Sequence, residues 1–339
     1  MSTTTARAAE PATARSSGGD CPRWQRLDFA RLAAAYTIVW LHTPRTPGLA
    51  ASKALGRFAV PFFVFAAVFL VFDGIQRKPR RPWGEYFRSR LVRIYLPFLG
   101  WSGIYLLFKF AKGKLLPDQP NDFPGWSILW AGSFYHLWFM PFILVSSLLA
   151  FAIAKAVMGR AGLQWLAAGA ALAAGAFVLA MPDSLLPPAD ENPMVIKALP
   201  SLCWAVTFAI LYSRGLARWI DSPGCTLFAG LVAVGCSAWV WQVGRDDLAE
   251  TVAGLAVLIA ALGEPTPGWM ARLGNLGGLA YGIYLSHLLF VKSFESLANK
   301  LHAEINVALD LSIFAAAAVA STALTWALSR FRATSWLVG

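Results

Sequence analysis

Apolar residues run along this chain in blocks long enough to cross a bilayer, and polar residues gather in the gaps between them. A hydrocarbon core about 30 Å thick needs roughly 20 helical residues, and lipid supplies no partner for unpaired backbone groups. The blocks therefore predict an all-α, polytopic integral membrane protein with about ten transmembrane helices. They fall at 27–43, 58–75, 91–111, 136–156, 163–181, 199–217, 225–242, 248–263, 279–296 and 306–328. The Pro- and Gly-rich segments 112–135 and 182–198 read as loops, the first with a short interfacial helix around Trp126 and Trp130. No internal repeat of the kind that marks secondary transporters is visible.

The first block, LDFARLAAAYTIVWLH from Leu27 to His42, breaks the apolar pattern with Asp28, Arg31 and His42. Eleven helical steps of about 100° return to nearly the same azimuth, so Arg31 and His42 share one face, roughly 16 Å apart. Ionisable groups on one stripe are costly against lipid and imply a polar hollow, with the rest of the chain as its wall.

Composition strengthens the membrane reading: the 339 residues are 57% hydrophobic, and the mean hydropathy is +0.55. The net charge of +11 resides mostly between blocks, which points to topology and anionic lipid rather than nucleic acid. The cluster Arg77, Lys78, Arg80, Arg81, Arg88, Arg90 and Arg93 is expected to stay cytoplasmic. Alternation then places both termini cytoplasmic and leaves Asp118, Asp122, Asp183, Asp190, Glu191, Asp246 and Asp247 on the opposite side. Three parts follow: a disordered cytoplasmic tail at 1–25, a transmembrane domain at 26–332 and a short cytoplasmic tail at 333–339. The first part has no apolar core of a signal peptide. Cys21, Cys203, Cys225 and Cys236 lack metal or redox spacing, so neither a structural disulfide nor a metal site is expected.

Of four histidines, His302 sits in a polar segment with no feature that suggests a role beyond the surface. His42, His136 and His287 lie in or at the ends of apolar blocks, and imidazole is suited to accept a hydroxyl proton near neutral pH. Arg88, Arg90 and Arg93 precede the third block, where guanidinium groups suit bidentate contacts to phosphate. Arg57, ahead of the second block, is a further cation able to point inward.

These residues together resemble acyltransferase family 3. Arg31, ten residues, then His42 is similar to that family's Arg-x10-His signature, with Asp28 as its acidic residue ahead of the Arg. Val60-Pro61-Phe62-Phe63 resembles its second span. Arg90 to Pro97 resembles its RxxR approach to the third, and His136-Leu137-Trp138-Phe139 its HLWF block. Leu273-Gly274 followed by Tyr281-Gly-Ile-Tyr-Leu-Ser-His287 resembles its ninth-span block. No single motif is specific; six in order within a ten-span frame are. Two positions depart from the pattern: Ala67-Val68 stand where a Ser-Gly pair is common, and Ala280 where a Ser is.

The resemblance implies a protein of the bacterial inner membrane that moves an acyl group, by default acetyl from acetyl-CoA, to a hydroxyl of a carbohydrate, itself lipid-linked or exported. On this reading His42 would be the general base or a transient acyl carrier, with Asp28 and Arg31 completing the catalytic set as a pair at the inner face. Arg88, Arg90 and Arg93 would hold the donor's phosphates, while Arg57, His136, Trp138, Tyr281 and His287 would meet substrate. A transporter or flippase of a polar lipid-linked substrate is the rival from another class.

Overall fold

The computed structural model describes residues 24–115, 125–182, 185, 194–244 and 246–339. The tail before Trp24 with Cys21, and Asp118, Asp122, Asp183, Asp190 and Glu191, lie outside the described residues.

Ten long helices account for most of these residues, and no strand occurs among them. They are α1 (Gln25–His42), α2 (Ala59–Arg77), α3 (Trp83–Arg90, a π-helical turn Leu91–Tyr95, then Leu96–Leu115), α4 (Phe139–Val157) and α5 (Ala161–Leu179). The remainder are α6 (Met194–Leu211), α7 (Pro223–Val243), α8 (Asp247–Leu262), α9 (Ala280–Lys300) and α10 (Val307–Arg330). Each overlaps one predicted block.

Contacts between their ends show that they alternate in direction. At one end Arg26 donates to the Gly263 carbonyl (3.0 Å), Lys155 to that of Pro79 (2.9 Å), and Arg214 to the Gln164 side chain (2.8 Å). At the other end Arg57 pairs with Glu250 (3.3 Å), and the Asp310 carboxylate accepts from the Arg45 and Thr46 backbone. The first is called the arginine end here, and the second the histidine end.

Seven stretches among the described residues are long and apolar enough to span a membrane on their own. Helices α1, α8 and α9 are not among them. Helix α1 carries Arg26, Asp28 and Arg31; α8 has 16 residues; α9 carries Lys292 and Glu295. Helix α8 falls short on length alone, whereas α1 and α9 carry the charges; α1 packs against α9, and α1 and α8 pack against α2. Helices α5 and α7, by contrast, turn Leu166, Phe177, Phe228, Leu231 and Val234 outward. The bundle is thus sorted by polarity: greasy helices outside, helices with chemistry within.

The core is an aromatic stripe on α2. Phe62, Phe65, Phe69 and Phe72 recur at helical spacing, and all four are fully buried. Trp126–Leu129 forms a short 3-10 helix ahead of α4, in the segment expected to hold an interfacial helix. Residues 333–339, read from the sequence as a short tail, include a 3-10 helix at Ser335–Val338 that packs into the bundle. Trp101 donates to the Leu337 carbonyl (3.0 Å) and Val338 is buried.

Candidate active site

The arginine end holds a cavity of about 430 Å³ lined by Arg31, Arg90 and Arg93, with Tyr281, Ala280 and Gly278 from the start of α9. Three of the sequence-predicted cations therefore meet there. Arg88 does not: it is exposed and is not among the lining residues.

Local structure explains the placement. Pro97 has no N–H to offer the Arg93 carbonyl, so the helical ladder is interrupted. The turn ahead of it widens, and the Leu96 N–H reaches back five residues to the Leu91 carbonyl. Arg90 lies over the Tyr86 ring (4.8 Å), and Tyr86 is fixed by stacking on Phe151 (3.9 Å) and by donating to the Ser147 carbonyl (3.2 Å). Arg31 donates to Asp28 (3.2 Å), an ion pair one helical turn apart. Gly277 permits this arrangement, because a Cβ there would come within 2.6 Å of the Asp28 side chain and backbone.

The three membrane-embedded histidines gather at the other end. The His287 ring lies 5.4 Å from that of His42 and 5.2 Å from that of His136. The His42 Nδ1 and the Tyr135 hydroxyl are 3.2 Å apart. His287 Nδ1 donates to the Tyr284 carbonyl (2.6 Å), which fixes its tautomer and leaves a lone pair on Nε2. His287 and His136 are 0% and 4% exposed, and His287 Nε2 and both His136 nitrogens have no protein partner. Buried polar atoms without such a partner cost about 1–3 kcal/mol each. No group of His, Cys, Asp or Glu with metal-binding geometry occurs among the described residues.

The turn Tyr135–Trp138 carries His136 into place. Gly132 before it has φ of 79°, and a Cβ there would fall 2.6 Å from Leu137. The Tyr284 hydroxyl holds the turn by donating to the His136 carbonyl. The loop after His42 is anchored from α10: buried Asp310 accepts from the backbone N–H groups of Arg45 (3.0 Å) and Thr46 (2.8 Å).

Arg31 lines the arginine cavity, and His42 is not among its lining residues. Tyr284 touches both groups. It lines the cavity, and its ring also packs on His136 (5.7 Å) and His287 (5.9 Å). Phe139 and Phe63 line the cavity beside it. The aromatics of the HLWF and YGIYL runs thus lie along the stripe that helical geometry alone leaves open.

Other predicted residues are distributed between these places. Tyr281 lines the arginine cavity and donates to the Ile94 carbonyl (3.2 Å). Arg57 and Trp138 line a separate groove of about 230 Å³ at the histidine end, together with Leu41, the neighbour of His42. Sequence reasoning missed Tyr135 as a partner of His42, and it missed Asp310. For Tyr135 the adjacency to His136 was the available signal; for Asp310 the signal was a carboxylate inside an apolar helix.

Comparison with known proteins agrees with this geometry. The model of a family described as an acyltransferase domain, acyltransferase family 3, matches residues 24–330. The chain belongs to that family, and it is a membrane acyltransferase acting by O-acyl transfer. Neither the curated proteins nor the solved structures yield a match.

Proposed function

We propose that this acyltransferase takes an acyl group, most simply acetyl, from acyl-CoA held at the arginine end and passes it to a carbohydrate hydroxyl at the histidine end. One observation carries the reading: Arg31, Arg90 and Arg93 converge on one cavity, and three histidines converge beyond its aromatic wall. A polyanionic donor suits the first place, and a proton acceptor suits the second. The charge cluster of 77–93 supports a cytoplasmic arginine end, where acyl-CoA is made. The membrane is then the bacterial inner membrane.

In the productive tautomer His42 Nδ1–H donates to the Tyr135 oxygen and Nε2 carries the lone pair. Nε2 takes the proton of the acceptor hydroxyl as its oxygen attacks the thioester carbonyl. The C–S bond breaks, the thiolate leaves, and the imidazolium returns the proton to sulfur. Arg31, oriented by Asp28, and Arg90 and Arg93 hold the donor's phosphates; Arg88, outside the cavity lining, has no part in this scheme. The thioester reaches His42 past Tyr284 and Phe139.

The test is turnover of acetyl-CoA by the purified protein in lipid nanodiscs, with Arg90→Ala as the comparison. Loss of charge-assisted contacts, worth about 1.5–3 kcal/mol, raises KM for acetyl-CoA roughly tenfold or more and leaves kcat nearly unchanged. Unaltered KM in Arg90→Ala, or no release of CoA by the wild type, contradicts the reading.

A further inference from the structure

A second lobe of about 430 Å³ adjoins the arginine cavity, and the two share Arg93, Gly278 and Val338. Thr325 and Ser329 of α10 line it further, with Ser335 and Trp336 of the 3-10 helix Ser335–Val338. Each lobe falls within the roughly 300–1,000 Å³ range of small-molecule sites.

Trp336 sets the chemistry of the second lobe. Its indole N–H donates to the Ala333 carbonyl (2.9 Å). Its six-membered ring lies so close to α3 that a Cβ on Gly100 would come within 2.8 Å of it. The ring is thus pinned from two sides, yet Trp336 is 43% exposed. A fixed indole that is partly open is a stacking platform for a flat heteroaromatic ring, and its orientation is set before anything binds. The Ser329 and Ser335 hydroxyls direct their protons to the carbonyls of Trp326 (2.7 Å) and Arg332 (3.4 Å), which leaves their oxygens as acceptors. Acceptors suit the amino group of a base or the hydroxyls of a ribose.

Arg93 lines both lobes. It is exposed, and its guanidinium has no hydrogen-bond or ion-pair partner among the described residues. The order through the two lobes is therefore an indole with hydroxyls, a free cation, then the aromatic lining that reaches His136 and His287. An acyl-CoA carries its groups in the same order: adenosine, diphosphate, then the pantetheine thioester.

We infer that the second lobe is the nucleotide subsite of the donor, with adenine stacked on Trp336 and the diphosphate at Arg93. This rests on the acyl-CoA reading for the ligand's role in the reaction, and on the lobe alone for its preference for a nucleotide. The segment after α10 is then part of the donor site. A lipid anchor at the membrane surface, the common use of an exposed Trp, is the outcome the experiment has to separate from it.

The experiment is isothermal titration of the full chain in phosphatidylcholine nanodiscs with adenosine 3′,5′-bisphosphate and with inorganic pyrophosphate, for wild type, Trp336→Ala and Ser329→Leu. In the wild type the bisphosphate binds roughly tenfold or more tighter than pyrophosphate, because only the first can stack. Trp336→Ala weakens the bisphosphate roughly tenfold, the size of one lost base–aromatic stack, and leaves pyrophosphate as it was. Ser329→Leu places an apolar side chain in the lobe from the last turn of α10 and weakens the bisphosphate by roughly fivefold or more. No bisphosphate binding by the wild type, equal binding of the two probes, or unchanged bisphosphate affinity in a folded variant overturns the proposal. Melting temperature identifies the folded variants, and Ser329→Leu decides the matter if Trp336→Ala does not fold. Turnover separates the two failures. In Trp336→Ala the KM for acetyl-CoA rises in step with the bisphosphate dissociation constant, while that for S-acetylpantetheine, which has no nucleotide, stays put. Acetyl-CoA turnover with an unaltered KM sinks the subsite alone, and nucleotide binding without turnover sinks the acyl-transfer reading alone.

Discussion

Single side chains decide the chemistry. His42 is the most accessible of the three clustered histidines, since His287 and His136 are buried. Its orientation depends on Tyr135, whose hydroxyl is its hydrogen-bond partner at 3.2 Å. Tyr135→Phe keeps the ring packing and removes the oxygen that holds the tautomer. We expect kcat to fall about tenfold, the equivalent of one hydrogen bond of about 1.4 kcal/mol, with KM for acetyl-CoA unchanged. Steady-state kinetics in nanodiscs measure both; a matched loss in KM would instead place Tyr135 in donor binding. At this scale the sequence was informative wherever polarity was out of place. Arg31, Arg90 and Arg93 stood near one end of apolar runs, and they do converge. Arg88 had the same local pattern but does not line the cavity, because which positions of a basic segment face it depends on the helix azimuth that packing selects.

Elements hold these groups through a few long-range ties. Asp310 on α10 is fully buried and secures the loop after α1 through two backbone N–H groups, with the Arg45 guanidinium 4.0 Å away. Removing one member of a buried charged pair costs about 3–5 kcal/mol. Asp310→Ala therefore lowers the melting temperature in detergent by several degrees and loosens His42, with activity falling further than stability alone accounts for. A melting temperature equal to wild type contradicts that role. The aromatic lining is also an element-level feature, formed where α4 begins and α9 passes it. Phe139 contacts Tyr284 at 5.8 Å between ring centroids. Phe139→Ala opens room for a longer acyl chain. One methylene in an apolar pocket is worth about 1–3 kcal/mol, so the ratio of kcat/KM for butyryl-CoA to that for acetyl-CoA rises roughly tenfold or more. An unchanged ratio places the acyl group elsewhere.

The whole molecule is a bundle sorted by polarity, and much of that was legible beforehand. Apolar blocks of spanning length gave ten helices, because a backbone in lipid has to satisfy its own hydrogen bonds. What was not legible is how the least apolar helices sit among the others. The periodicity of α1 put Arg31 and His42 on one stripe, but it carried no information about Tyr284 and Phe139, which come from distant runs and stand between the two ends. Nor did residues 335–338 show that they pack beneath Trp101 and Gly282, since seven residues after a long span read as a short tail. Long-range placement of this kind depends on tertiary packing, to which local pattern is blind.

The most direct test is His42→Ala, assayed for transfer of radiolabelled acetyl from acetyl-CoA, with the CoA dissociation constant measured on the same preparation. General-base catalysis contributes typically 10²–10⁴-fold, so turnover falls by about that factor while CoA binds as in the wild type. Turnover at the wild-type rate in His42→Ala would contradict the account.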